Sequence, residues 1–168
     1  IRKGAVLEAV DDWSQGDTGE TTRKAVAMLQ GRGPVEIQYD SVGVGAGVKS
    51  EANRLAAVGD LPKGLTFTPW SAGAGVQRPD SHIDPTDRQT PLNRDFYSNL
   101  KAQAWWALRT RFYKVWRVVT LGEIYPADEL ISIDSASLGA AVLASLRKEL
   151  AQPTRGLSAS SLKMLINK

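Results

Sequence analysis

The residue whose type and position best support chemistry is Asp40. It closes the run Val35-Glu36-Ile37-Gln38-Tyr39-Asp40 and precedes Ser41-Val42-Gly43-Val44-Gly45-Ala46-Gly47-Val48. The spacing predicts a strand, a glycine-rich turn and then a helix over 49–58. Asp40 therefore falls at the carboxyl-terminal edge of a strand, where ligands collect in α/β sheets. A carboxylate there is a good hard-cation ligand, suited to Mg²⁺ or Mn²⁺. Two such ions about 4 Å apart can activate water and stabilise the leaving oxygen in phosphodiester cleavage. That chemistry needs several converging carboxylates. Asp11, Asp12, Asp17 and Asp134 are the other candidates, and the sequence does not show that they converge. The alternative role for Asp40 is structural: a turn-forming Asp that caps the next helix.

Most other chemistries are excluded by count. There is no cysteine, so no disulfide and no thiolate nucleophile, which fits a reducing compartment. One histidine, His82, leaves most catalytic triads without a base. It lies among Asp80, Asp84 and Asp87, but nothing fixes a metal-ligand spacing, and a solvated loop histidine is the simpler reading. No Gly-Lys-Ser/Thr sequence occurs, so there is no phosphate-binding P-loop. Gly43, Gly45 and Gly47 do not reproduce a dinucleotide fingerprint, and no serine sits in a nucleophile-elbow context.

The elements that must position Asp40 follow from periodicity. A weakly alternating strand is expected over 5–10. Asp17 or Thr18 can cap a helix over 19–30, stopped by Gly31-Arg32-Gly33-Pro34. The central strand and helix follow, and then a strand over 65–70. Strand, helix, strand, helix, strand is the α/β pattern, with partly parallel strands. The segment 71–93 is rich in glycine, proline and acidic or amide side chains. It is expected to bury little and to form a long flexible loop. A long helix is predicted over 94–115, with Phe96, Leu100, Ala104, Leu108 and Phe112 on its apolar face. Lys101, Arg109, Arg111 and Lys114 fall elsewhere on it and could follow a phosphate backbone, with an exposed aromatic nearby. Ser135 or Ser137 should cap a last helix over 138–150, which Pro153 ends. A terminal strand is expected over 162–166.

The 168 residues, 42% hydrophobic and 23% charged, suit one soluble globular domain with a real core. No apolar run approaches about 18 residues, so no membrane span is expected. A net charge of +3 and pI of about 9.3 permit a nucleic-acid partner without requiring one.

Three blocks carry a resemblance to a known family. They are 39–48, the stretch Asn99-Leu100-Lys101-Ala102-Gln103-Ala104-Trp105-Trp106-Ala107-Leu108-Arg109, and Tyr125-Pro126-Ala127-Asp128-Glu129-Leu130-Ile131-Ser132-Ile133-Asp134. In order and spacing the chain resembles the nuclease domain of the large terminase subunit of tailed bacteriophages. The Lys-Ala-Gln-Ala-Trp-Trp block is the most specific. The resemblance implies an RNase H-like fold, a mixed central sheet flanked by helices, in a single domain over 1–168. It implies a metal-dependent endonuclease that cuts concatemeric double-stranded DNA with two Mg²⁺ or Mn²⁺ ions. It also implies a separate motor ATPase domain, a small terminase subunit and a portal as partners, and a place of action in the host cytoplasm. Asp40 matches the second acidic residue of the family site, beside a loop shaped by Ser41, Gly43, Gly45 and Gly47. The family's first and third acidic residues would lie before and after the stretch read here. A fragment truncated at both ends, with one of the three carboxylates, is therefore expected. The rival functions are a non-catalytic DNA-binding or motor-docking module on the same fold, and a nucleotide-binding α/β domain.

Overall fold

A computed structural model describes residues 1–167, so the last residue of the expected single-domain span lies outside the described residues. In chain order the elements are β1 (Arg2–Lys3), β2 (Val6–Leu7), α1 (Thr18–Ala27), β3 (Val35–Asp40), α2 (Ala46–Val58), β4 (Leu65–Trp70), α3 (Asn93–Phe96), α4 (Leu100–Leu121), β5 (Ser132–Ile133), α5 (Ala140–Ala151), β6 (Thr154–Leu157) and β7 (Met164–Asn167). They form two compact units, Trp13–Ala72 and a second built from Ile1–Asp12 with Gly73–Lys168.

In the unit over 13–72, α1 begins where a carboxyl can satisfy its free amides. The Asp17 carboxylate accepts from the Glu20 amide at 2.8 Å, and the Glu20 carboxylate accepts from the Asp17 amide at 3.1 Å. β3 and β4 pair in parallel, Val35 opposite Leu65 through Asp40 opposite Trp70. A parallel pair needs a crossover, and α2 supplies it. β3 alternates in burial: Val35, Ile37 and Tyr39 turn inward while Glu36, Gln38 and Asp40 face solvent. α1 packs on α2, with Val26, Leu29, Ala52 and Leu55 buried. Glu51 on α2 accepts from Arg23 of α1 at 2.6 Å and from Arg54 at 2.7 and 2.9 Å. Hydrogen bonds from Arg54 and then Arg23 hold its carboxyl down to about 2.

The other unit shows where local pattern was overruled. The expected strand over 5–10 is instead a small hairpin, β1 and β2, turning at Gly4 with φ +57°. β2 also pairs in parallel with β5, so this three-stranded sheet is mixed. The helix predicted from Arg94 is broken. Tyr97 bridges to Met164, the Ser98 amide donates to the Met164 carbonyl at 2.9 Å, and the Asn99 side chain caps α4 at the Ala102 amide. The break shifts the phase of the apolar face. Ala102 is fully buried, whereas Ala104 is exposed and Phe112 is 36% exposed, so the expected stripe is not the packed one. Tyr97, Ala102 and Met164 form the core, joined by Phe96, Trp106 and Ile166. α5 begins at Gly139 without a side-chain cap, because Ser137 donates to Asp134 instead. β6, which sequence patterning missed, pairs antiparallel with β7.

The segment 71–92 has no regular element, as expected, but it does bury apolar surface. Val76 and Ile83 pack on the Tyr97–Ala102–Met164 core. Its backbone is tied down as well. The Asn93 amide donates to the Ser81 carbonyl at 2.8 Å, and the buried Asn93 side chain donates to the Gln77 and Arg78 carbonyls. Gln103 accepts from the Gln77 amide and donates to its carbonyl, at 2.7 and 2.9 Å. Composition hid this because the partners lie on α3 and α4.

Candidate active site

Asp40 stands where the sequence placed it, at the last residue of β3 and exposed to solvent. Its carboxylate accepts from the Val42 amide at 3.1 Å, which shapes the start of the turn. The structural role considered for this residue is therefore present, through the turn rather than through the following helix. Ser41 closes the strand pair: its amide and hydroxyl both donate to the Trp70 carbonyl, at 2.9 and 3.1 Å.

The three glycines act differently. Gly43 opens a 3-10 turn, Gly43–Gly45, with φ +65°, a conformation that side chains disfavour. Gly45 has ordinary helical dihedrals but no room, since a Cβ there would lie 1.5 Å from the Asp40 carbonyl oxygen. Gly47 lets α2 approach α1, where a Cβ would meet Thr18 at 3.0 Å. The turn thus folds back on the backbone of Asp40 itself and holds the strand end in place.

The other carboxylates considered as partners have local duties. Asp17 caps α1. Asp134 accepts from the Ser137 hydroxyl at 2.6 Å and from the Ser137 and Ala136 amides, and these bonds, the Ser137 side chain first, hold its pKa below the usual range. Asp11 and Asp12 precede the unit over 13–72 that carries Asp40. Among the described residues no group of three or more His, Asp or Glu side chains is arranged to hold a metal ion. One carboxylate does not make a two-ion site, because two divalent ions held about 4 Å apart need several carboxylates to bridge them and offset their charge, even with waters completing each shell. His82 is half-buried rather than solvated, and its Nδ1 donates to the Thr90 carbonyl at 2.5 Å, so its role is structural.

The cations singled out on α4 divide. Arg111 donates to the Asp128 carbonyl and, at 2.9 Å, to the Leu130 carbonyl, so it anchors the turn after α4. Lys114 pairs with Glu129 at 2.6 Å and lies over the Tyr125 ring. Lys101 and Arg109 make no ion pair among the described residues. Arg109 lies over two rings, 4.8 Å from the centroid of Trp106 and 5.5 Å from that of Tyr113.

Sequence reasoning missed one feature of the same unit. A cleft of about 890 Å³ opens between α4, α5 and the β6–β7 hairpin, with aliphatic walls from Leu108, Leu143 and Leu146. Arg109, Arg147 and Arg155 line it, and no acidic residue does. Arg147 and Arg155 lie far along the chain from Arg109, so no local spacing signals their convergence.

Several solved structures resemble this chain along nearly its whole length. The nuclease domain of the large terminase subunit gp2 of bacterial virus Sf6 matches with a TM-score of 0.83 at 24% identity, covering 99% of this chain and 69% of that one. The same domain as a point variant, with manganese and β-thujaplicinol, matches equally well. A variant with calcium matches at 25% identity and a TM-score of 0.83, with the same coverage. No protein-family model and no curated protein sequence matches. The resemblance read from three sequence blocks is thus met by structure over 99% of the chain, which has the RNase H-like α/β fold of a terminase large-subunit nuclease domain.

Proposed function

We propose that this chain is the nuclease domain of a phage terminase large subunit and hydrolyses phosphodiester bonds of double-stranded DNA during genome packaging. The observation that carries this reading is the structural likeness over 99% of the chain to the Sf6 domain, together with an exposed carboxylate, Asp40, at the end of β3. The Sf6 structures with manganese and with calcium support a divalent ion as cofactor. Asp40 is the residue that would ligate it, as Mg²⁺ or Mn²⁺, and its position is set by Ser41, Gly43, Gly45 and Gly47. Two ions require carboxylates in addition to Asp40. On this reading the setting is the host cytoplasm, and the partners are duplex DNA, a motor ATPase domain, a small terminase subunit and a portal. Lys101 and Arg109 are the better of the four α4 cations for phosphate contacts, because Arg111 and Lys114 are already engaged.

The test is plasmid nicking with Mn²⁺, on this chain and on the same chain extended by roughly 15–20 residues at each end. Cleavage that Asp40→Ala abolishes and Asp134→Ala leaves intact is the expected result. Full cleavage by the Asp40 variant would overturn the assignment. Salt-sensitive DNA binding with no cleavage by either form, at any metal concentration, would favour the docking-module reading.

A further inference from the structure

We propose that α4 and the adjoining arginine cleft bind single-stranded nucleic acid, with unstacked bases on the α4 rings and phosphates on Arg109, Arg147 and Arg155. This deepens the nuclease reading by naming the strand form one part of the molecule accepts, and it is tested apart from cleavage. The rings are large and partly exposed to solvent. Tyr113 and Trp116 stack on each other at 5.7 Å with planes 19° apart, yet they are 43% and 51% exposed. Phe112 beside them is 36% exposed. Burial alone would place such side chains inside, and exposed contiguous apolar surface marks a binding site.

Charge selects the occupant. Arg109 lies against Trp106 and Tyr113, and Arg155 lies 5.6 Å from the Trp106 centroid. Arg109, Arg147 and Arg155 have no carboxylate partner among the described residues, and no acidic side chain lines their cleft. Unpaired guanidiniums beside exposed rings complement a polyanion that carries planar groups. Duplex DNA offers the polyanion but keeps its base faces stacked inside, so the rings would gain nothing from it. A single strand offers both, and base–aromatic stacking tolerates any sequence. From Arg109 to Trp116 the helix rises about 10 Å, more than the roughly 3.4 Å between neighbouring phosphates of one stacked strand, so the rings and guanidiniums together span more than one nucleotide.

The experiment is fluorescence anisotropy of a labelled oligothymidylate of about 15 nucleotides, with the 168-residue chain in EDTA, against a duplex of equal length. The single strand is expected to bind more tightly. Trp116→Ala should weaken it about 5- to 100-fold and leave duplex binding unchanged, while Trp116→Phe retains most of the affinity. Arg147→Gln with Arg155→Gln should flatten the salt dependence by about 1.4 in log–log slope. Circular dichroism and melting of each variant establish that it is folded. Equal or tighter duplex binding would overturn the proposal. So would a folded Trp116→Ala that binds the single strand normally, the result expected if the rings seat an apolar protein segment instead. A failure here leaves the nuclease reading standing, and a failure of cleavage leaves this one standing.

Discussion

At Asp40 the proposed chemistry and the backbone are inseparable. The carboxylate faces solvent while the carbonyl of the same residue is packed against Gly45. Asp40→Ala should therefore remove function and keep the fold, losing only the bond to the Val42 amide. Gly45→Ala should do the reverse of a catalytic lesion. Its new methyl would sit 1.5 Å from the Asp40 oxygen, so the strand end must move, at a cost expected above about 3 kcal/mol. Gly47→Ala, facing the Thr18 side chain at 3.0 Å, should cost about 1 kcal/mol. Urea unfolding of the two variants checks the difference, and equal effects would show that the turn can relax. At this scale the sequence was informative wherever the signal was local. A strand ending in Asp before spaced glycines marks its own position. The cleft arginines carry no such mark, because they are brought together by three separate elements.

The elements whose ends are set by nearby residues matched expectation. β4 runs over Leu65–Trp70, the span read from its residues, and Asp17 caps α1 as foreseen. Elements set by distant partners did not match. The α3–α4 break exists because β7 takes up the backbone at Tyr97 and Ser98, which no periodicity over 94–115 can show. The α1–α2 pair carries a pH dependence. Arg54 and Arg23 hold the Glu51 carboxyl at about 2, below its ordinary 4.5. A depressed carboxyl stabilises the fold above its unfolded value and loses that contribution as pH falls through the folded one. Glu51→Gln should therefore be less stable than the parent near neutrality, with the gap closing between pH 4.5 and about 2. The effect should be modest, because Arg23 and Arg54 are about half exposed (46% and 51%). Thermal melts of both proteins across that range measure it, and a gap that persists at the acid end would exclude the ion pairs as its source.

For the molecule as a whole, the order of strands and helices was enough to read an α/β class, and three residue blocks carried the family likeness, although identity to the solved structures is only 24–25%. Fold survives at that identity because it depends on pattern and packing volume more than on particular residues. The two units differ in how their contacts are spread along the chain. The unit over 13–72 is continuous, whereas the other joins Ile1–Asp12 to Gly73–Lys168. Pulse-labelling hydrogen exchange during refolding of the whole chain should protect the β3 amides before the Ser98 amide, whose acceptor is the Met164 carbonyl. Simultaneous protection would mean that both form in one step.

Met164 is 1% exposed and sits at the centre of a core whose other buried members are Tyr97 and Ala102. On a ribosome that geometry becomes a schedule. Trp13–Ala72 can close while translation continues, but Tyr97 and Ala102 emerge long before the strand that covers them. Through that interval the face of α4 that carries Ala102 and Trp106 awaits its cover, and apolar surface exposed in that way is what chaperones shield.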